Sequence, residues 1–329
     1  MKIKLIHTFK ETTSVENLLD AWKEFLRGKR AKRDVQEFQV HLMDNIFSLH
    51  HDITSHTYRH GGYHAFNISD PKPRVIHKAS VRDRLLHHAI YRKLYPFFDR
   101  TFIADSYSCR NGKGTHKALN RFQEFGSIVS KNNTRTCLVL KCDIRKFFAN
   151  IDHEVLFRVV REHISDQNIL LLLQEVVSSF SSVKSGVGLP LGNLTSQLLV
   201  NIYMNEFDQF MKHKLKVKYY IRYADDFVVF SENRSLLERH ILDIHAFLHT
   251  KLKLELHPQK VSIATLASGI DFLGWVHFLD HRVLRTTTKN RIVKKMKNYP
   301  RPETISSYRG VLKHGDTYKV QKRLGIVLA

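Results

Sequence analysis

Two adjacent carboxylates, Asp225 and Asp226, stand between apolar, strand-like runs in the stretch YYIRYADDFVVF. Neighbours of like charge repel, and burying unpaired carboxylates is expensive, so such a pair calls for a cation. A solvated acidic turn is the plainer alternative and would suffice for a lone Asp-Asp. Asp143 shifts the balance, because it ends the apolar run CLVLKCD over 137–143, which reads as a buried strand. Two strands paired in one sheet can gather Asp143, Asp225 and Asp226 around Mg²⁺. Two hard cations on carboxylate oxygens, about 3.5–4 Å apart, activate an attacking 3′ hydroxyl and stabilise a leaving pyrophosphate. The carboxylates alone imply metal-assisted phosphoryl transfer, with nuclease and phosphatase chemistry as open as nucleotide addition.

The elements that must position these groups follow from periodicity. Helical spacing covers 15–27, 35–53, 81–98, 153–182 and roughly 235–253, and the stretch SQLLVNIYMNEFDQFMKHKL reads as a strong helix. Turns and short strands surround Gly61, Gly62, Pro71 and Pro73, and a Gly-rich turn, SGVGLPLGN, precedes the strong helix. The acidic stretch is a hairpin signal, although Ala-Asp-Asp is not a favoured tight turn. IDFLGWVHF is strand-like, and the chain ends in a small basic helical unit. This order suggests an α+β fold built on an antiparallel sheet.

The chain has 329 residues, enough for a sizeable core. Its 53 Lys and Arg against 31 Asp and Glu leave +22, which suits a polyanionic partner through counterion release. An anionic membrane surface is the competing partner, but no basic amphipathic helix stands out and no apolar run reaches a membrane span. The N-terminus lacks a signal-peptide core, and Cys109, Cys137 and Cys142 form neither a disulfide framework nor a zinc pattern. Cytoplasm is the expected compartment.

With those residues laid out, the chain resembles the reverse transcriptase family. Tyr223-Ala224-Asp225-Asp226 matches its Tyr-x-Asp-Asp box, and KCDIRKFF followed by Ile151-Asp152 resembles the box carrying the first catalytic Asp. PKPRVIHKASVRDRLLHHAI, ADSYSCRNGKGTHKAL, LHPQK and FLGW resemble further blocks in the family's order. The resemblance implies a right-hand polymerase fold: N-terminal extension and fingers over 1–136, palm over 137–278 and a basic helical thumb over 279–329. It implies that Asp143, Asp225, Asp226 and the Ile144 carbonyl hold two Mg²⁺, for which Mn²⁺ can stand in. Phe148 falls where the family places a steric gate against the ribose 2′ hydroxyl, with Phe147 one position away. Lys72 and Arg74 fall where triphosphate is clamped, and Arg74 suits bidentate phosphate contact. Lys260 sits where a lysine protonates the leaving pyrophosphate, and Phe272, Leu273 and Gly274 resemble the primer-gripping turn, the primer grip. Leu191, Gly192 and Gln197 belong to the nucleotide-binding box.

That box, Gly188-Leu189-Pro190-Leu191-Gly192-Asn193-Leu194-Thr195-Ser196-Gln197, departs from intron and retroviral relatives, which usually carry Gln at 191 and Pro at 197. It resembles the reverse transcriptases of diversity-generating retroelements, as do WKEFLRGKRAKRDV and DSYSCRNGKGTH. The resemblance implies cDNA synthesis that misincorporates at template adenines, with Leu191 contributing. The implied partners are a structured template RNA, a cDNA or DNA primer, dNTPs and a basic, oligomeric accessory variability protein. Lys29, Arg30, Lys32 and Arg33, with Lys289, Arg291, Lys294 and Lys295, are the expected nucleic-acid contacts. Retron-like, intron-type and phage-defence enzymes, and an inactive RNA-binding polymerase fold, are the alternatives.

Overall fold

The computed structural model describes residues 3–69, 73–182 and 184–326. It opens with α1 (Phe9–Thr13), α2 (Val15–Phe25), α3 (Arg33–Val40), α4 (Leu42–Thr54), β1 (Tyr63–Ile68), β2 (Arg74–Ala79) and α5 (Val81–Asp99). The middle holds α6 (Thr115–Val129), β3 (Leu138–Asp143), α7 (His153–Arg161), α8 (Gln167–Ser178) and α9 (Leu194–Gln209). Then come β4 (Tyr220–Tyr223), β5 (Asp226–Ser231), α10 (Arg234–Leu252), β6 (Ser262–Thr265), β7 (Ile270–Phe272), β8 (Trp275–His277) and β9 (Arg282–Leu284). Three helices close the chain: α11 (Thr286–Asn298), α12 (Pro302–Leu312) and α13 (Tyr318–Arg323).

The chain forms two compact units, each made of three separated stretches. One comprises Met1–Ala104, Arg145–Lys214 and Ala246–Glu255; the other comprises Asp105–Ile144, Leu215–His245 and Leu256–Ala329.

The first unit is mainly helical. α5 lies against α2 and α9, with Leu85, Leu86, Ala89 and Ile90 closed to solvent on α5 and Leu18, Ala21 and Phe25 on α2. The start of α5 is fixed by Ser80, whose Oγ accepts from the Asp83 amide at 3.1 Å and donates to Oδ2 of Asp83 at 2.7 Å. The helix expected over 35–53 breaks at His41, whose φ of −113° and ψ of 41° leave the helical region. The span 153–182 likewise divides into α7 and α8, with Asp166 capping the second by accepting from the Asn168 and Ile169 amides.

The second unit carries an antiparallel sheet, as the sequence led us to expect; it has four strands in the order β4-β5-β3-β6. α6, which was not anticipated, packs on it through Ala118, Phe122, Phe125 and Val129 against Val139, Ile221, Val228 and Phe230. IDFLGWVHF folds as a hairpin rather than one strand, because Leu273 (φ 50°) and Gly274 (φ 87°) make a two-residue turn with both central φ positive. A second apolar cluster joins Trp275 and Leu284 to Ile292, Met296 and Leu312 of the closing helices. Among the described residues no helix is long and apolar enough to cross a membrane.

His277 is fully buried in this unit, its ring 4.1 Å from that of Phe122, and no normal hydrogen bond reaches either ring nitrogen. Burial first, and the nearby Arg282 second, push its pKa down to about 3. A histidine that must stay neutral in the fold costs nothing above its unfolded pKa and withdraws stability as pH falls from there towards the folded value. His277→Phe is therefore expected to gain about 1.4 kcal/mol over the parent at one pH unit below the unfolded pKa, relative to pH 8. Thermal melts of both proteins at pH 5.5 and pH 8 check this; an equal difference at the two values refutes it.

Candidate active site

The strand register assembles the acidic residues. β3 and β5 pair with Asp143 directly opposite Asp226, and β4 and β5 close on Tyr223 and Asp226. Ala224 and Asp225 thus form a two-residue turn, and Ala224 takes the positive φ of 55° that such turns demand at their first position. The turn is anchored sideways, since the Ile144 amide donates to the Asp225 carbonyl at 3.2 Å. The Asp143 carbonyl accepts from the His257 amide at 2.7 Å, and Ile144 bridges Leu256, so the stretch leading to Lys260 runs alongside. Lys260 Nζ donates to both carboxylate oxygens of Asp143, at 2.9 Å each.

Crowding of like charge shows in Asp225. Burial first, then Asp226 and Asp143, push its carboxyl up to about 6, with Lys260 opposing. Asp143 is itself only 9% exposed, so little water relieves it. Among the described residues no three His, Cys, Asp or Glu side chains close round one point as a finished metal cage. The hard oxygen donors of the paired strands and their turn nevertheless fit Mg²⁺, which keeps several waters and binds through one or two carboxylates plus substrate phosphates. The chemistry such a face supports is phosphoryl transfer.

The expected primer-grip residues lie in the same unit. Phe272 is fully buried against Phe122, while Leu273 and Gly274, half-buried, form the β7–β8 turn. On α11, Lys294 and Lys295 are exposed and Lys289 and Arg291 half-buried, while Ile292, Val293 and Met296 turn into the core.

The remaining candidates belong to the first unit. Phe147 is buried and Phe148 half-buried; Phe148, Leu189, Leu191, Phe180 and His77 line a depression of about 310 Å³. The loop bearing Leu191 is strapped to β2: the His77 amide donates to the Leu191 carbonyl and Asn193 Nδ2 to the His77 carbonyl, both at 2.9 Å. Gly192 has a φ of 106°, and a Cβ there would meet Ile76 at 2.7 Å, so the box requires glycine. Gln197 sits half-buried in the first turns of α9. Arg74 opens β2 and is exposed; Lys72 lies outside the described residues. Of the basic run, Arg30, Lys32 and Arg33 are exposed, and Arg33 pairs with Glu37. Lys29 instead folds back, donating to the Phe25 carbonyl at 3.0 Å with its ammonium over the Phe25 ring.

Residues 68–277, more than half of the chain, match the family model described as reverse transcriptase (RNA-dependent DNA polymerase). The chain belongs to the reverse transcriptase family. Among curated relatives, Protein YkfC of Escherichia coli (strain K12) is 26% identical over 260 residues, 67% of this chain and 66% of YkfC. Group II intron-encoded protein LtrA of Lactococcus lactis subsp. cremoris is 24% identical over 294 residues, 69% of this chain and 47% of LtrA. The chain thus spans about half to two thirds of the length of these relatives. A solved telomerase from Candida albicans, in complex with a TWJ fragment of telomeric RNA, aligns with a TM-score of 0.51 at 12% identity. That alignment covers 75% of this chain and 51% of the telomerase chain, and at such identity it speaks for fold alone. With the antiparallel sheet and its helices, it bears out the expected right-hand polymerase fold of this reverse transcriptase family member.

Sequence reasoning missed Arg222, which is completely buried beside the acidic turn. Its signal was present: a charged residue inside the otherwise apolar YYIRY run of a strand.

Proposed function

We propose that the chain is an RNA-directed DNA polymerase that extends a primer on template RNA using dNTPs. The observation carrying this reading is the register that sets Asp143 opposite Asp226 with Asp225 in the adjoining turn. Asp143, Asp225, Asp226 and the Ile144 carbonyl are the groups to hold two Mg²⁺ or Mn²⁺, which when bound would activate the 3′ hydroxyl and offset developing charge. Lys260 supplies a proton to the leaving pyrophosphate, Lys72 and Arg74 hold the triphosphate, and Phe148 excludes a 2′ hydroxyl. Phe272, Leu273 and Gly274 grip the primer. The exposed basic residues near 30–33 and on α11 meet nucleic-acid phosphates. The stretches 1–136, 137–278 and 279–329 are read as fingers, palm and thumb.

A primer annealed to a defined RNA, with dNTPs and Mg²⁺, tests the reading: labelled primer should lengthen. Shortened substrate would point to a nuclease, and retained but unextended substrate to an RNA-binding polymerase fold.

Within the family we read the chain as a diversity-generating enzyme, error-prone at template adenines, served by a structured template RNA and a basic accessory protein in the cytoplasm. Support comes from the box with Leu191 and Gln197. Leu191 offers a depression that it shares with Phe148, Phe180 and Leu189, and with Ser181 and Ser182, a side chain that cannot donate a hydrogen bond. Loss of a donor there weakens checking of the nascent pair, and each lost bond of about 1 kcal/mol changes discrimination several-fold. Leu191→Gln should accordingly lower the adenine error rate several-fold in sequenced cDNA. Uniform errors in the parent would favour the intron-type reading, which the similarity to the group II intron-encoded protein LtrA supports; retron-like and phage-defence enzymes predict the same.

A further inference from the structure

We infer that Arg222 is a positioning residue: from inside the sheet it holds the Ala224–Asp225 turn in the shape that presents the carboxylates. This rests on the polymerase reading above. β4 is the edge strand of its sheet, and the segment Asp105–Tyr107 straps that edge. The Arg222 amide donates to the Asp105 carbonyl, the Tyr107 amide donates to the Arg222 carbonyl, both at 3.0 Å, and Ser106 bridges Arg222 in parallel.

The strap and strand enclose the Arg222 side chain, which is 0% exposed, as is Ser106. Its guanidinium donates to Ser106 Oγ at 3.0 Å and, by the other arm, to the Ala224 carbonyl at 3.2 Å. Burying a guanidinium is costly, so its donors must be met in fixed positions. Ala224 meanwhile sits in the left-handed region, which a residue with a Cβ enters only when its surroundings impose it. The two facts explain one another. One fork arm fixes the carbonyl of Ala224, Ser106 fixes the fork, and the Ile144 amide fixes the next carbonyl, that of Asp225. On the outer side, Thr115 Oγ1 at the start of α6 donates to Tyr223 Oη at 3.1 Å. The turn is therefore held on consecutive peptide units, and Asp225 has little freedom to retreat from its crowded neighbours. Arg suits this post because its planar fork spans two acceptors, which an ammonium cannot match in geometry.

Small displacements of reacting groups are costly to rate without weakening substrate binding. Arg222→Lys should lower kcat for primer extension by about ten- to a hundredfold, the worth of a charged hydrogen bond, with KM for dNTP unchanged. Ser106→Ala, which spares the guanidinium, should act in the same direction to a smaller degree. Mn²⁺ binding to the free protein, read by electron paramagnetic resonance, should weaken by about tenfold in Arg222→Lys. This readout needs no turnover: a wild type that binds Mn²⁺ but never extends a primer would sink the polymerase reading while still testing the inference. Kcat per folded molecule and Mn²⁺ affinity both at wild-type level in the two variants, whatever their melting temperatures, would overturn it. If Arg222→Lys does not fold, Ser106→Ala decides by the same two measurements.

Discussion

Asp225→Asn is expected to abolish primer extension and, at the same time, to make the cation-free protein more stable. The loss of rate should reach about a thousandfold or more, because two-metal chemistry draws several kcal/mol from carboxylate-held cations. The gain in stability follows from the raised carboxyl of Asp225, pushed up to about 6 by burial and by Asp226 and Asp143. An Asp with a folded pKa above its unfolded value resists ionisation in the fold. Its penalty is absent below the unfolded pKa and fully present once pH exceeds the folded one. The wild type in EDTA should therefore lose stability as pH rises from about 4 to about 6, by up to about 2–3 kcal/mol. Asn carries no charge and should remove that slope. Denaturant melts in EDTA at pH 4.5 and pH 7, beside primer extension, check both halves. A variant that stays active, or one that is no more stable at pH 7, contradicts the assignment of Asp225.

Phe148→Val should open the enzyme to ribonucleotides. Discrimination against rNTPs is expected to fall by about a hundredfold, since on the proposed reading a ring rather than a bond excludes the hydroxyl. Phe148 and not Phe147 is the residue to change, because Phe147 is only 3% exposed and serves the core, whereas Phe148 lines the depression with Leu191. Valine keeps an apolar surface and removes the ring. Parallel kinetics with dCTP and rCTP give the ratio; the same ratio in variant and parent would move the gate elsewhere, and Phe147→Val would then be the control of interest.

How much of this was legible beforehand differs residue by residue. Asp143 and the Asp225–Asp226 pair were readable because each ends or joins a short apolar run, and strands of that kind pair with few alternatives. The register that sets Asp143 opposite Asp226 was not itself readable, since both runs are buried almost throughout and carry no alternation to fix it. The bond from Lys260 to Asp143 was not readable, as it depends on where a stretch more than a hundred residues away passes. Arg222 stood out as a charge inside an apolar strand, but its burial was not readable, because periodicity treats a charged residue as solvent-facing whereas here the strap over β4 buries it. Helix α6 hid behind its glycine-rich approach, in which Gly112 and Gly114 take positive φ immediately before the helix starts. Lys29 looked like a free cation in a basic run, yet its stem is committed to Phe25. The turn at Leu273 and Gly274 was suggested by the family resemblance alone; periodicity hid it, because leucine in a left-handed position is a residue that turn statistics do not favour there.

The central strand also sets a timetable for the ribosome. β3 receives β5 and β6 as its two neighbours, and both are translated long after it. At roughly 5–20 residues per second, the apolar edges of β3 wait on the order of ten seconds before β6 has been made. Until β5 follows, Val139 and Leu140, among the most deeply buried residues of the finished protein, have no strand to pair with. Expression yield of this chain should thus be governed by what shelters a half-made sheet, more than by the stability of the completed one.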